Sequence, residues 1–212
     1  MDFLSTNSRD LWMWIGIAGL IVVGCLGYFF INNYNENVAP KKKIALDSYE
    51  HMMKTLKNTL SGYVRRYEGR VIYSIELASS KKNGSADAIL IGWFGVLVLI
   101  GCDLMGELYV DDGKTPQITQ IVKTERTKRD NPFVKATVAE RVVNEMLREK
   151  KIYRVQVESA VVFTRSGARL NIPPSLPYYT QKTLNKIMKS NKYIEDKGVD
   201  ADQVAEAILN WR

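Results

Sequence analysis

Two short apolar runs stand out in the middle of the chain, Ala88–Ile91 and Val96–Ile100, with the sequence Gly-Trp-Phe-Gly between them. Neither run alternates polar with apolar residues, which is typical of strands that are buried on both faces of a sheet. Gly92 and Gly95 bracket the connection and supply the backbone freedom that a tight hairpin needs. The pattern therefore predicts a central buried β-hairpin, with the carboxyl group of Asp87 where its first strand begins.

The remaining pattern predicts a mixture of helices and strands around this hairpin. Helical spacing of apolar residues indicates helices at Ile44–Leu60, Asn131–Lys150, Tyr179–Lys189 and Asp200–Trp211. Runs of β-branched residues indicate strands at Val71–Leu77, Leu108–Val110, Ile118–Lys123, Val155–Phe163 and Ala168–Ile172. Asp47 or Ser48 is the expected cap of the first helix, Asn131 followed by Pro132 opens the second, and Asp200 caps the last.

Residues Trp12–Ile31 contain no charged side chain and are long enough to cross a bilayer as a helix of ~30 Å. Tryptophans stand at one end of this stretch and tyrosine and phenylalanine at the other, as expected at membrane interfaces. A cleaved signal peptide fits less well, because the apolar stretch is too long and no basic cluster precedes it. The stretch therefore predicts a transmembrane helix.

The charges on either side of this predicted helix indicate its orientation. Asp2, Arg9 and Asp10 precede it, whereas three lysines follow it, Lys41, Lys42 and Lys43. The positive-inside rule then places the N-terminus outside and the C-terminal domain in the cytoplasm of a single-pass cell-membrane protein. The three lysines are either contacts to anionic headgroups or an ordinary cytoplasmic flank.

Composition narrows the function classes further. The chain has 212 residues, a net charge of +7 and one histidine, His51, so triads and metal sites built on several histidines are excluded. Cys25 and Cys102 lie in unlike segments and are not expected to pair, which suits a reducing compartment. The densest basic run, Lys123–Arg129, is expected to be a solvated loop or a membrane-facing patch. Its cations, Lys123, Arg126, Lys128 and Arg129, are also the candidate contacts to nucleic acid.

Several motifs resemble one known family. Asp87 opens a buried strand, Gly95-Val96-Leu97-Val98-Leu99 forms the next strand, and Gly106-Glu107-Leu108-Tyr109 and Asn131-Pro132 follow. This order is similar to that of the nuclease-related (NERD) domains of the PD-(D/E)xK restriction-endonuclease-like superfamily. The resemblance implies an α/β domain with a mixed central sheet flanked by helices. Together with the predicted membrane helix and its flanking charges, it gives the following expected organisation: residues 1–11 outside the membrane, a membrane helix at 12–31, a linker at 32–46, a NERD-like domain at 47–190 and a C-terminal helical extension at 191–212.

The resemblance also implies where catalysis would occur. In the family an aspartate and a glutamate bind a divalent metal, and a lysine orients the attacking water. Asp87 falls on the aspartate, but the family's Glu-x-Lys triplet falls on Ile100-Gly101-Cys102. Isoleucine offers no oxygen, and a thiol is a poor ligand for Mg²⁺. We therefore expect an inactive nuclease-related domain, without metal or other cofactor, that acts as a cytoplasmic interaction or scaffold module for a protein partner the sequence does not identify.

Two alternatives stay open from the sequence. Asp103 lies one residue beyond the lysine position, and Glu50 falls on a glutamate of the family's first helix. Glu50, Asp87 and Asp103 could then hold Mg²⁺ or Mn²⁺ in a displaced site that cleaves DNA or RNA. The other alternative is a protein that binds nucleic acid without cleaving it. At the start of the Asn-Pro helix, Lys135 stands where the family has a glutamine. The sequence also leaves the oligomeric state of the protein open.

Overall fold

A computed structural model describes residue 17, residues 19–28 and residues 39–210, with side chains in the last range from Ser48 onward. The chain divides into two compact units, Met1–Ser48 and Tyr49–Arg212. No helix among the described residues is both long and apolar enough to cross a membrane. Much of the predicted membrane helix, Trp12–Ile31, lies outside the described residues, so this helix stays a prediction.

From residue 39 onward the chain forms five helices and nine strands. The helices are α1 (Ala39–Tyr67), α2 (Pro132–Glu149), α3 (Gln181–Ile187), α4 (Asn191–Ile194) and α5 (Ala201–Leu209). The strands are β1 (Arg70–Ala78), β2 (Asn83–Gly92), β3 (Gly95–Cys102), β4 (Glu107–Tyr109), β5 (Gln117–Val122), β6 (Glu125–Asp130), β7 (Val157–Phe163), β8 (Arg169–Asn171) and β9 (Tyr178–Thr180).

The strands form two mixed sheets. The first sheet has the order β1-β2-β3-β7-β9; its first three strands are antiparallel, and β7 is parallel to both β3 and β9. The second sheet has the order β6-β5-β4-β8, with only the β4–β8 pair parallel. The expected α/β class with a mixed central sheet between helices is confirmed.

Helices cover both faces of the first sheet, which explains why β2 and β3 are apolar throughout. On one face, Leu56 and Leu60 of α1 and Leu184 of α3 pack against alternate residues of the hairpin such as Leu97. On the other face, α2 and α5 pack against the intervening residues, among them Val98. Residues of both faces are fully buried, and burial of such side chains stabilises a fold by about 1.5–3 kcal/mol each.

The central hairpin and two helix caps were predicted correctly. The turn between β2 and β3 falls between Gly92 and Gly95. The Asn131 side chain accepts a hydrogen bond from the Phe133 N–H, and Asp200 caps α5 in the same way. Trp211, the last residue of the predicted C-terminal helix, lies outside the described residues.

Other boundaries differ from the predictions. The cap predicted at Asp47 or Ser48 is wrong, because α1 begins at Ala39 and runs through both positions and through the end of the predicted linker. The loop predicted at Lys123–Arg129 is wrong as well, because most of it is the edge strand β6. Charged side chains are a common protection of edge strands, and the backbone of β6 pairs with β5 regardless of its polar sequence.

Candidate functional site

Asp87 lies where the central hairpin opens. The pairing of β2 with β3 runs from the Gly92–Gly95 pair to the Ala88–Leu99 pair and ends there, one residue before Asp87. The backbone N–H of Gly101 would otherwise lose its acceptor, and it donates to Asp87 Oδ2 at 2.8 Å. The carboxylate therefore takes the place of a main-chain carbonyl at the point where the two strands diverge.

The strand on the other side of Asp87 is distorted at the same level. Ser74 of β1 has a φ of 50°, a left-handed conformation that non-glycine residues seldom adopt. The β1–β2 register pairs Tyr73 with Ala88 and Ile75 with Ala86, and it skips Ser74 opposite Asp87. Unusual backbone conformations of this kind cluster at functional sites, so the residues around Asp87 and Ser74 are a candidate functional site.

Burial dominates the electrostatics of the Asp87 carboxyl. It raises the pKa of Asp87, while the hydrogen bond from Gly101 and the charge of Lys135 on α2 act in the opposite direction and lower it. Lys135 is thus a cation that acts on this carboxyl, although it stands in the first turn of a helix rather than on β3. The ammonium group of Lys135 itself lies 3.7 Å from Oδ2 of Asp130, in an exposed ion pair, and its charge acts on Asp87 from there.

Ile100 and Cys102 lie in the core beneath α2, 5% and 6% exposed. Burial raises the pKa of the Cys102 thiol to about 11; the charges of Asp103 and Asp87 raise it further, while a backbone hydrogen bond with Leu104 and the charge of Lys135 lower it. A thiol with this pKa stays protonated at neutral pH and is a poor nucleophile. Of the residues brought together here, Asp87 alone supplies a carboxylate oxygen.

Asp103 belongs to a different cluster, at the ends of β3 and β7. Its side chain is 5% exposed, and Oδ1 lies 3.0 Å from Nδ1 of His51 and accepts a hydrogen bond from Oγ1 of Thr164 at 2.6 Å. Arg165 Nε donates to Oδ2 at 2.8 Å. Both oxygens are therefore engaged by protein donors that tie α1 to the two strands.

The sequence analysis did not predict this cluster. The one signal is that Thr164 directly follows the predicted strand Val155–Phe163 and that Asp103 comes three residues after the apolar run Val96–Ile100. In the structure β3 and β7 are parallel neighbours with Cys102 opposite Phe163, so the residues after them meet at one edge. The side chain of His51 is 47% exposed.

Glu50 is exposed on α1 and lines a groove of about 390 Å³ together with Lys54, Lys57 and Ser74. Within the described residues, no three His, Cys, Asp or Glu side chains are placed to hold a metal ion. Glu50, Asp87 and Asp103 therefore do not form a group of this kind.

The basic residues singled out from the sequence line the second sheet. Lys123 sits in the tight turn between β5 and β6, and Arg126 is exposed on β6. Lys128 donates to Thr119 and Arg129 to Gln120, both across the β5–β6 pair, at 3.0 and 2.8 Å. Part of this cationic run thus stabilises strand pairing. Lys41, Lys42 and Lys43 stand in the first turns of α1, and their side chains are outside the described part of the chain.

The chain matches no protein-family model, no curated protein and no solved structure.

Two substitutions of Asp87 test whether its role is to accept the hydrogen bond from the Gly101 N–H. The substitution Asp87→Asn would keep an oxygen acceptor for the Gly101 N–H, whereas Asp87→Leu would leave that donor unsatisfied at a cost of about 1–3 kcal/mol. We expect Asp87→Leu to lower the free energy of unfolding and Asp87→Asn to preserve it at pH 7. Urea unfolding of the full chain in mild detergent measures both.

The pH dependence adds a second readout. The raised pKa means that the folded state holds the Asp87 proton more tightly than the unfolded state. The stability contribution of Asp87 therefore falls as pH rises from the ordinary range of a carboxyl through the raised value. Relative to wild type, Asp87→Asn should gain stability over that interval. Equal loss in Asp87→Asn and Asp87→Leu would show that the charge, not the acceptor, matters.

Proposed function

We propose that the chain is a single-pass membrane protein whose cytoplasmic domain has a nuclease-related fold and serves as a non-catalytic interaction module. The observation that carries the proposal is the use of Asp87 as the acceptor for the Gly101 N–H, next to Ile100 and Cys102. A carboxylate, a hydrocarbon and a protonated thiol occupy the positions where the resemblance to NERD domains calls for two carboxylates and a lysine.

The fold supports the resemblance in outline. A mixed sheet lies between α1 and α2, and Asp87, Ile100 and Cys102 share the neighbourhood that the family's catalytic residues would share. Metal-assisted hydrolysis of a phosphodiester needs a cation to activate water or to stabilise the developing charge. Hard cations take several oxygen ligands, and a single buried carboxylate with a raised pKa is a weak basis for holding one.

The engagement of Asp103 weakens the displaced-site alternative. Its oxygens accept bonds from Thr164 and Arg165 and lie within reach of His51. To bind a cation, the carboxylate would have to give up these donors and leave the Arg165 charge without its partner. Breaking a buried ion pair of this kind is strongly unfavourable.

The N-terminal segment supports the membrane anchor. Residue 17 and residues 19–28 are helical, and their large apolar side chains are exposed, with Leu20 at 75% and Val23 at 68%. A run of exposed apolar side chains on a helix is unfavourable in water and favourable in the hydrocarbon of a bilayer. The lysines that follow favour a cytoplasmic C-terminal domain.

A cleavage assay tests the non-catalytic part of the proposal. The full chain in mild detergent is incubated with plasmid, single-stranded DNA and RNA, with Mg²⁺ or Mn²⁺. We expect the wild type, Asp87→Ala and the control Glu195→Ala, which changes an exposed carboxylate elsewhere, to leave the substrates equally intact. Cleavage by the wild type and by Glu195→Ala that disappears in Asp87→Ala would refute the proposal.

Alkaline extraction and protease protection test the anchor. The full chain should stay in the membrane pellet at high pH, and a variant lacking residues 12–31 should be released. Protease added to the cytoplasmic side should digest the C-terminal domain. Release of the full chain by alkali would remove the membrane anchor from the account and leave the cleavage result untouched.

A further inference from the structure

Positive charge is concentrated on one side of the first sheet. Residues 51–67, most of α1, contain no Asp or Glu but contain four cations, Lys54, Lys57, Arg65 and Arg66. Residues 159–194 again contain no Asp or Glu, and this segment includes α3 and α4 with Lys182, Lys186, Lys189 and Lys192. Both segments pack on the same face of the sheet, through side chains such as Leu60 and Leu184.

The opposite helical layer has a different balance. There α2 carries three cations and three glutamates, and α5 carries Asp202 and Glu206 and no cation. The charge asymmetry therefore runs across the sheet, and one helical layer of the domain is cationic.

Three of these lysines form a row on the outer surface. Lys182 and Lys186 lie one turn apart on α3, and Lys189 follows just beyond the end of this helix; all three are exposed, while Leu184 and Met188 between them are buried. Within the part of the chain that the structure describes, none of the three pairs with an acidic side chain. Lys192 differs, since it forms an ion pair with Glu158.

A cavity of about 230 Å³ lies beside this row, between α1 and α3. Arg66 from α1 and Lys189 from the end of α3 line it with Asn185 and Thr59, so charged and neutral donors converge on one small space. The hydroxyl of Tyr63, another lining residue, is already used, because it donates to the Tyr193 carbonyl oxygen at 2.5 Å. The donors that remain suit an anion of phosphate type.

We propose that this basic face, made of Arg66, Lys182, Lys186 and Lys189, lies against the anionic lipid headgroups of the membrane that anchors the chain, with a headgroup phosphate in the cavity between Arg66 and Lys189. The inference rests on the proposed membrane anchor. The predicted membrane helix is part of the same chain, so a domain attached to it is held near the membrane surface. Each Lys or Arg near an anionic leaflet contributes about 1 kcal/mol of attraction.

Lipid fits this face better than nucleic acid does. Single-stranded nucleic acid is usually held by aromatic side chains on which bases stack, in addition to cations. The aromatic side chains at this face are Tyr63, which is buried, and Tyr67, which is half-buried and packs against Tyr63 with ring centroids 4.9 Å apart. A row of exposed lysines without a stacking surface is typical of contact with a charged surface.

Lysine reactivity in nanodiscs tests the proposal. The full chain is placed in discs of phosphatidylcholine alone or with about one-third phosphatidylserine, and amine acetylation is followed at each lysine by mass spectrometry. We expect Lys182, Lys186 and Lys189 to react about five-fold more slowly in the anionic discs at low salt, and this protection to vanish at high salt. Lys114 and Lys151, on other surfaces, should react equally in both discs.

A charge-reversal variant supplies the control. Arg66→Glu should restore fast acetylation of Lys182 and Lys186 in anionic discs, whereas Arg148→Glu, on the opposite helical layer, should not. Equal rates in the two kinds of disc would overturn the proposal. Stronger protection of the same lysines by an RNA or DNA oligonucleotide than by anionic discs would assign the face to nucleic acid instead.

The experiments distinguish failure of the proposed membrane anchor from failure of the proposed contact between the basic face and lipid. Incorporation of the chain into neutral discs, resistant to high salt, reports on the anchor alone. If the chain does not enter neutral discs, its flotation with phosphatidylserine vesicles still decides the second question: flotation lost in Lys186→Glu supports the basic face, and flotation that is absent or unchanged by Lys186→Glu overturns it.

Discussion

Replacing Gly95 by alanine is expected to destabilise the domain by about 3 kcal/mol or more. Gly95 closes the central hairpin with a φ of +126°, which side chains rarely adopt, and an added Cβ would lie 2.3 Å from the carbonyl oxygen of Gln156. That carbonyl accepts the N–H of Val96 at 2.8 Å and thereby sets the start of the β3–β7 pair. The clash is with backbone and cannot be relieved by a side-chain rotation.

Gly62→Ala is the matched control. Gly62 lies within α1, and an added Cβ there meets no atom within 4 Å. Because alanine favours a helix interior over glycine, this variant should gain about 0.5–1 kcal/mol. Urea unfolding of both variants in detergent should therefore shift the midpoint in opposite directions. Similar midpoints for the two variants would contradict the register of the hairpin described here.

Asp103→Leu should have the second large effect, a loss of about 3 kcal/mol. The substitution removes the acceptor of Thr164 and Arg165 and the neighbour of His51 while it keeps a similar volume. His51→Ala should lose less than about 1 kcal/mol, because the ring is half exposed and the carboxylate keeps its other donors. The difference between the two variants isolates the buried part of the cluster.

A comparison of unfolding with and without Mn²⁺ tests whether Asp103 has a structural role or binds a metal ion. A structural role predicts that the loss of stability in Asp103→Leu is the same in Mn²⁺ and in a chelator, because its oxygens are engaged by protein donors. Thermal unfolding of the wild type and the variant under both conditions measures it. A wild type that Mn²⁺ stabilises strongly, with that gain absent in Asp103→Leu, would return Asp103 to the displaced metal site.

The sequence predicted the elements whose signals are local. The central hairpin follows from its uninterrupted apolar runs and its glycines, and the start of α2 follows from Asn131-Pro132 because cap and first turn are adjacent residues. β6 was missed since an edge strand is held by backbone pairing that its charged side chains do not reveal. The predicted helix Tyr179–Lys189 includes the last two residues of the short strand β9, because this strand leads directly into α3 at Gln181.

The candidate site was predictable only in part. The resemblance to NERD domains indicates Asp87, Ile100 and Cys102, but the bond from Gly101 to Asp87 depends on where two strands diverge, and no local pattern encodes that point. The Asp103 cluster joins residues about fifty and sixty positions apart. The basic face likewise combines Arg66 with lysines from a helix far along the chain, so only the packing of α1 beside α3 reveals it.

Direct titration with Mn²⁺ tests the central claim, that Asp87 is a structural acceptor and not a metal ligand. Electron paramagnetic resonance counts the free ion as it is added to the full chain in detergent, beside Asp87→Ala. We predict that the wild type binds no stoichiometric Mn²⁺ and that the two titrations superimpose. One equivalent of tightly held Mn²⁺ in the wild type, lost in Asp87→Ala, would contradict the account.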